Sequence, residues 1–116
     1  ASSLRGALGA RAFVVDADAV YAAAATLGPA RDIRFCAGWD YLDMVEGLKD
    51  YVLFTRTLPW DHAPGSLLVR ESGLTSMRPN GDEYLPGDNG AGLLTAHPSV
   101  WGHVAGALAP ALVPAL

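Results

Sequence analysis

Lysine is almost missing from this sequence. Lys49 is the only one in 116 residues, and the net charge is −4. There is no basic run and no Lys/Arg patch interleaved with aromatics, so the electrostatic footprint of nucleic-acid binding is absent. Cysteine is equally scarce. Cys36 stands alone, which excludes an internal disulfide and fits a reducing compartment, so a cytoplasmic location is expected. Apolar runs are too short or too interrupted to span a bilayer. The opening "ASSLRGALGA" lacks the apolar core of a secretory signal. It also lacks an initiating Met, so the chain reads as a processed or truncated product. The apolar share of 51% and charged share of 17% are those of a folded domain, not a disordered segment.

What is present is an alternation of helix and strand signals. "DADAVYAAAATLGP" offers Asp16 or Asp18 as a cap, continues in alanines and stops at Gly28-Pro29, which predicts a helix over 16–27. "DIRFC" (32–36) alternates as a short strand does. In "AGWDYLDMVEGLKD", Trp39, Leu42, Val45 and Leu48 recur at about helical spacing. They predict an amphipathic helix over 37–48, with Asp43, Glu46 and Asp50 on a separate, solvated face. "YVLFTR" (51–56) reads as a buried strand, 61–72 as a helix closed by Gly73, "LTSMRP" (74–79) and "GLLTA" (92–96) as strands. A last helix is expected over 98–109, with Pro98 in its first turn. "GDNGAG" lacks both the Rossmann spacing and the P-loop lysine and reads as a surface loop. The expected fold is α/β: one domain over 1–116, a layered αβα structure with a mixed, mostly parallel sheet of four or five strands.

The chemistry concentrates in "TLPWDHAPGSLLVRESG", where Asp61 stands between Trp60 and His62 at the mouth of a small-residue turn. An acid there can cap the helix by accepting its free N–H groups. It can equally hold a metal ion. Local sequence leaves both open, and one carboxylate can serve both ends. His97 and His103 have no partner at metal-ligand spacing and read as a turn and a helix residue.

The stretch "CAGWDYLDMVEGLKDYVLFTRTLPWDHAPGSLLVRESG" resembles the C-terminal half of the inositol monophosphatase family, magnesium-dependent and lithium-sensitive sugar and nucleotide phosphatases. The family's Trp-Asp, small-residue turn and helix ending in Glu-Ala-Gly-Gly stand here as Trp60-Asp61-His62-Ala63-Pro64-Gly65 through Glu71-Ser72-Gly73. The upstream helix and strand, "GLLTA" and a last helix carrying Trp101 follow the same order. The family's other half carries a glutamate and then Asp-Pro-x-Asp-Gly-Thr, and this sequence contains neither Asp-Pro nor Asp-Gly-Thr. The resemblance therefore implies a C-terminal inositol-monophosphatase-like domain without the N-terminal metal-binding half.

It also implies roles. Asp61 is the expected ligand of Mg²⁺, an ion that prefers oxygen donors in octahedral geometry. Trp60 packs to fix it. Cys36 and Ala37 fall where family members often carry Gly-Ser or Gly-Thr before Ala, near the substrate; a buried structural thiol is the plain alternative. His62 adjoins the acid and joins the substrate-side candidates, beside an ordinary structural reading. Phe54 stands seven residues before Asp61, where inositol phosphatases often place an acid on a substrate hydroxyl. A ring cannot accept that hydrogen bond, which argues against inositol phosphate itself. The implied activity is hydrolysis of a small sugar, polyol or nucleotide phosphate by metal-activated water, with no catalytic nucleophile in this chain. The implied partners are a phosphorylated metabolite and either a second copy or the missing half, with no nucleic acid and no membrane. The alternative is a non-catalytic interaction module built on the same half-fold.

Overall fold

A weak strand former lies inside the sheet, paired on both sides. β1 (Gly6–Gly9) pairs in parallel with β2 (Ala30–Asp32) on one side and with β3 (Tyr51–Phe54) on the other. Two further strands, β4 (Thr75–Met77) and β5 (Leu93–Ala96), complete a five-stranded sheet in the order β2-β1-β3-β5-β4. The β3–β5 and β5–β4 pairings are antiparallel, so the sheet is mixed. This is a computed structural model, and it describes residues 3–9, 17–32, 37–54, 65, 67–81 and 92–112. The strand expected over 32–36 appears as Ala30–Asp32, and 33–36 lie outside the described residues.

Helices cover both faces, as expected of an αβα layering. α1 (Ala17–Ala25) and α4 (Pro98–Leu112) pack on one face, and α2 (Ala37–Val45) with a helical segment over 67–71 (α3) lies on the other. Side chains alternate along each strand. Leu8, Tyr51, Leu53, Leu94 and Ala96 join Val20, Ala24, Val104 and Leu108 in one cluster. Ala7, Val52, Phe54 and Leu93 join Tyr41, Met44 and Val69 in the other. His97 caps α4: its Nδ1 accepts the Ser99 N–H at 3.1 Å, and its carbonyl accepts from Val100 and Trp101. Pro110 does not stop that helix, which runs to Leu112.

α2 corrects the sequence reading. Asp43 is buried, with 4% of its surface exposed, while Leu42, Val45 and Leu48 are 36%, 38% and 50% exposed. Two stripes at helical spacing compete on this segment. The one carrying Tyr41 and Met44 meets the sheet, and it takes Asp40 and Asp43 inside with it. The apolar stripe that the sequence shows faces outward. Periodicity reveals that a helix has an apolar side, not which neighbour that side meets. Glu46 is exposed as expected.

Asp50 is also more than a solvated acid. Its Oδ2 accepts the Arg5 backbone N–H at 2.6 Å and pairs with Arg5 Nε at 3.2 Å, while its own N–H donates to the Arg5 carbonyl. This clamp ties the entrances of β1 and β3. Partial burial pushes the Asp50 carboxyl up, but the hydrogen bonds and charge of Arg5 outweigh it and hold the group below its ordinary value. A depressed carboxylate contributes stability above its unfolded pKa of about 3.9 and loses it as pH falls through the folded value. Asp50→Asn should therefore destabilise the fold at pH 7 by about 0.5–1 kcal/mol, a figure discounted for solvent screening. Urea unfolding should show that gap closing below pH ~4, as both proteins become uncharged at this position.

Tyr51 carries the opposite problem. Its hydroxyl is buried without a hydrogen-bond partner, and desolvation pushes its pKa up to about 12. Leaving a buried donor unsatisfied costs about 1 kcal/mol or more, so Tyr51→Phe should be neutral or stabilising by up to about 1 kcal/mol. A clear loss of the urea midpoint would reveal a partner for the hydroxyl.

Candidate functional site

The register brings one end of every strand to the same edge. Gly9 pairs with Phe54, Phe54 with Leu93, Leu8 with Asp32 and Met77 with Leu94. That edge holds the carboxyl ends of all three parallel strands. β2 and β3 flank β1 on opposite sides, and the helices that precede them lie on opposite faces of the sheet. This is a topological switch point, and open α/β sheets bind ligands in the crevice outside it. The chain leaves the edge from β2 into 33–36 and from β3 into 55–64. Those connections carry Cys36, Asp61 and His62. All three, with Trp60, lie outside the described residues. Ala37 opens α2.

Phe54 ends β3 at this edge, but its ring turns into the core and is 3% exposed. It packs against the ring of Tyr41 at 5.4 Å between centroids and 37° between planes. Gly65, a helical residue, also sits against the ring of Tyr41. Two further residues at the edge escaped the sequence reading. Arg78 directly follows β4; it is 5% exposed, and its Nη1 donates to the Gly92 carbonyl at 3.1 Å. Gly92 has φ +87°, and a side chain there would meet the Phe54 carbonyl at 3.0 Å, so the close approach requires glycine. An arginine between a strand and a Pro-Asn-Gly turn was the available signal. Asp40, in the first turn of α2, is fully buried.

Among the described residues no three His, Cys, Asp or Glu side chains come together as a metal centre. Asp40 and Asp43 lie within the helix layer, and Asp50 is held by Arg5 at the far edge. The described donors thus do not fit a magnesium ion by themselves, since Mg²⁺ asks for a near-octahedral oxygen set. An open cavity of about 420 Å³ lies at that far edge, lined by Leu4, Met44, Lys49, Leu74, His97 and Val100 among others. It shares no residue with the switch-point edge. No described helix is long and apolar enough to cross a membrane.

The sequence model described as the inositol monophosphatase family matches residues 15–114. The chain belongs to the inositol monophosphatase family. Solved structures of that family carry the same fold. The IMPase of Thermotoga maritima superposes with a TM-score of 0.80 at 17% identity, covering 97% of this chain and 42% of that one. Inositol monophosphatase II of Staphylococcus aureus does so at 0.77 and 12% identity, covering 94% and 41%. The inositol monophosphatase of Anabaena gives 0.75 and 18%, covering 95% and 44%. At such identities the likeness establishes the fold alone. The chain spans about two-fifths of the length of these inositol monophosphatases. No curated protein matches the sequence. The family match begins at residue 15, after β1, yet β1 is the strand on which the parallel half of the sheet is built.

Proposed function

We propose that this chain supplies the C-terminal half of a magnesium-dependent phosphomonoesterase that hydrolyses a small sugar, polyol or nucleotide phosphate in the cytoplasm. The observation that carries the reading is the convergence at the switch-point edge. β3 ends there and is followed in sequence by the family's Trp60-Asp61 motif; β2, on the other side of β1, also ends there and is followed in sequence by Cys36. Asp61 is the metal ligand this half contributes, and Cys36, Ala37, Phe54 and His62 shape the substrate side. Phe54 does so from behind, by packing. Magnesium, when bound across both halves, supplies charge neutralisation and an activated water. The chain's own contribution is to orient Asp61 and to wall the pocket.

The substrate class rests on relatives. One staphylococcal enzyme, SaIMPase-II, has been solved bound to inositol monophosphate and also to 2′-AMP. Position 54 carries a core-facing phenylalanine and so offers no acid to an inositol hydroxyl. The other half, in cis or as a second chain, covers the outward apolar face of α2 and α3, where Leu42, Val45 and Leu67 are 36%, 38% and 60% exposed. The test is phosphate release from a panel of sugar, polyol and nucleotide monophosphates, using this chain joined to a half that carries Asp-Pro-x-Asp-Gly-Thr. Magnesium-dependent turnover is the expected result. No turnover on any member of the panel would remove the enzyme reading.

The same apolar face favours a second reading, a non-catalytic interaction module. In that case the joined protein would associate normally and remain inactive.

A further inference from the structure

We propose that the open cavity at the far edge of the sheet is a binding site for a small organic anion with an apolar body, of the short-chain aliphatic carboxylate class. The site is separate from the reaction proposed above and uses none of its residues. Its volume of about 420 Å³ lies within the range of small-ligand sites. Leu4, Met44, Leu74 and Val100 give it an apolar wall, against which a hydrocarbon chain would leave water. The polar lining decides the charge. Lys49, the single lysine of the chain, is half-buried there, and among the described residues no carboxylate pairs with it. Asp50 lines the cavity too, but Arg5 holds its carboxylate through the backbone N–H at 2.6 Å, Nε at 3.2 Å and Nη2 at 3.4 Å. That acid is answered within its own clamp, so Lys49 is the charge in the lining left without a counterpart. His97 adds a donor. The Ser99 N–H donates to its Nδ1 at 3.1 Å, so the neutral ring carries its proton on Nε2. An ammonium and a ring N–H, with no unpaired acid among the lining residues, suit an anion and disfavour a cation. The apolar wall asks that the anion bring hydrocarbon with it.

The experiment titrates the isotope-labelled 116-residue chain with hexanoate and follows its amide signals by NMR. Saturating shifts are expected at Lys49, Leu74, His97 and Val100, with a Kd of about 1–10 mM, as so small a ligand permits. Phe54, Arg78 and Gly92, at the opposite edge, should stay in place. Acetate lacks the apolar body and hexanol lacks the charge, and each should bind at least about tenfold more weakly. Lys49→Met keeps the side chain's length and removes its charge. It should weaken hexanoate by about fivefold and leave the melting temperature unchanged. Added salt should weaken hexanoate binding in the wild type but not in this variant. Shifts that never saturate, or that scatter over the surface, would overturn the site. Equal affinity in Lys49→Met, or for hexanol, would overturn anion recognition, and acetate binding as tightly as hexanoate would overturn the apolar body. Shifts at the same residues on concentrating the chain without hexanoate would overturn the small-ligand reading in favour of a second copy. No readout depends on turnover, so failure of the phosphatase assay leaves this test standing.

Discussion

Replacing Gly6 with alanine is expected to remove about 3 kcal/mol of stability or more, at the upper end of what overpacking a filled core costs. β1 is bonded on both sides, and Gly6 pairs with Ala30 and with Tyr51. The Tyr51 ring folds across the Gly6 backbone, so a Cβ would overlap Cζ and the phenolic oxygen. The ring cannot retreat, because Tyr51 is fully buried and shares its cluster with Leu4, Leu53 and Ala96. Only glycine lets an aromatic neighbour lie over a central strand in this way. Domains of this size hold about 5–15 kcal/mol in all, so the change consumes a large share. Urea unfolding gives the result directly. Gly106→Ala serves as the contrast: its Cβ would meet nothing within 4 Å, and alanine is the better helix former in α4. A wild-type midpoint for Gly6→Ala would mean that the ring moves freely and that the packing over β1 is loose.

β1 also shows why part of the fold was not legible in the sequence. "GALG" has no β-branched residue, no alternation and two glycines. Its place inside the sheet comes from what pairs with it and packs over it, which is tertiary information. β3 and β5 were legible because they are apolar along their length, and their buried runs follow from lying between two helix layers. α1 was legible from its alanines and the Gly28-Pro29 stop, and α4 from Pro98 in its first turn, but the capping role of His97 was not. α2 was legible as a helix but not in orientation. Tyr41 and Met44 compete with Leu42, Val45 and Leu48, and the sheet takes the first pair.

The candidate site was legible mainly through the Trp60-Asp61 motif and its distance from β3. The described residues near that edge were not. Tyr41 looked like any aromatic in a helix, and Gly65 like any small residue at a helix start. Arg78 gave one weak hint. Their roles depend on which strand ends share an edge, and the register alone decides that.

Asp61→Asn carries the largest functional effect. A charge-neutral amide is a poor ligand for a hard cation, and a phosphoryl transfer site relies on positioning and charge neutralisation above all. Loss of one such electrostatic contribution costs about 10²–10³ in kcat. The 116-residue chain alone should be inactive, since a single contributed carboxylate does not replace the oxygen set Mg²⁺ loses with its water. The decisive measurement is the Mg²⁺-dependent kcat of the joined two-half protein, side by side with its Asp61→Asn form and with this chain alone. Turnover is expected in the first, a fall of about 10²–10³ in the second and none in the third. Full activity in Asp61→Asn, or robust turnover by the chain alone, would contradict that expectation.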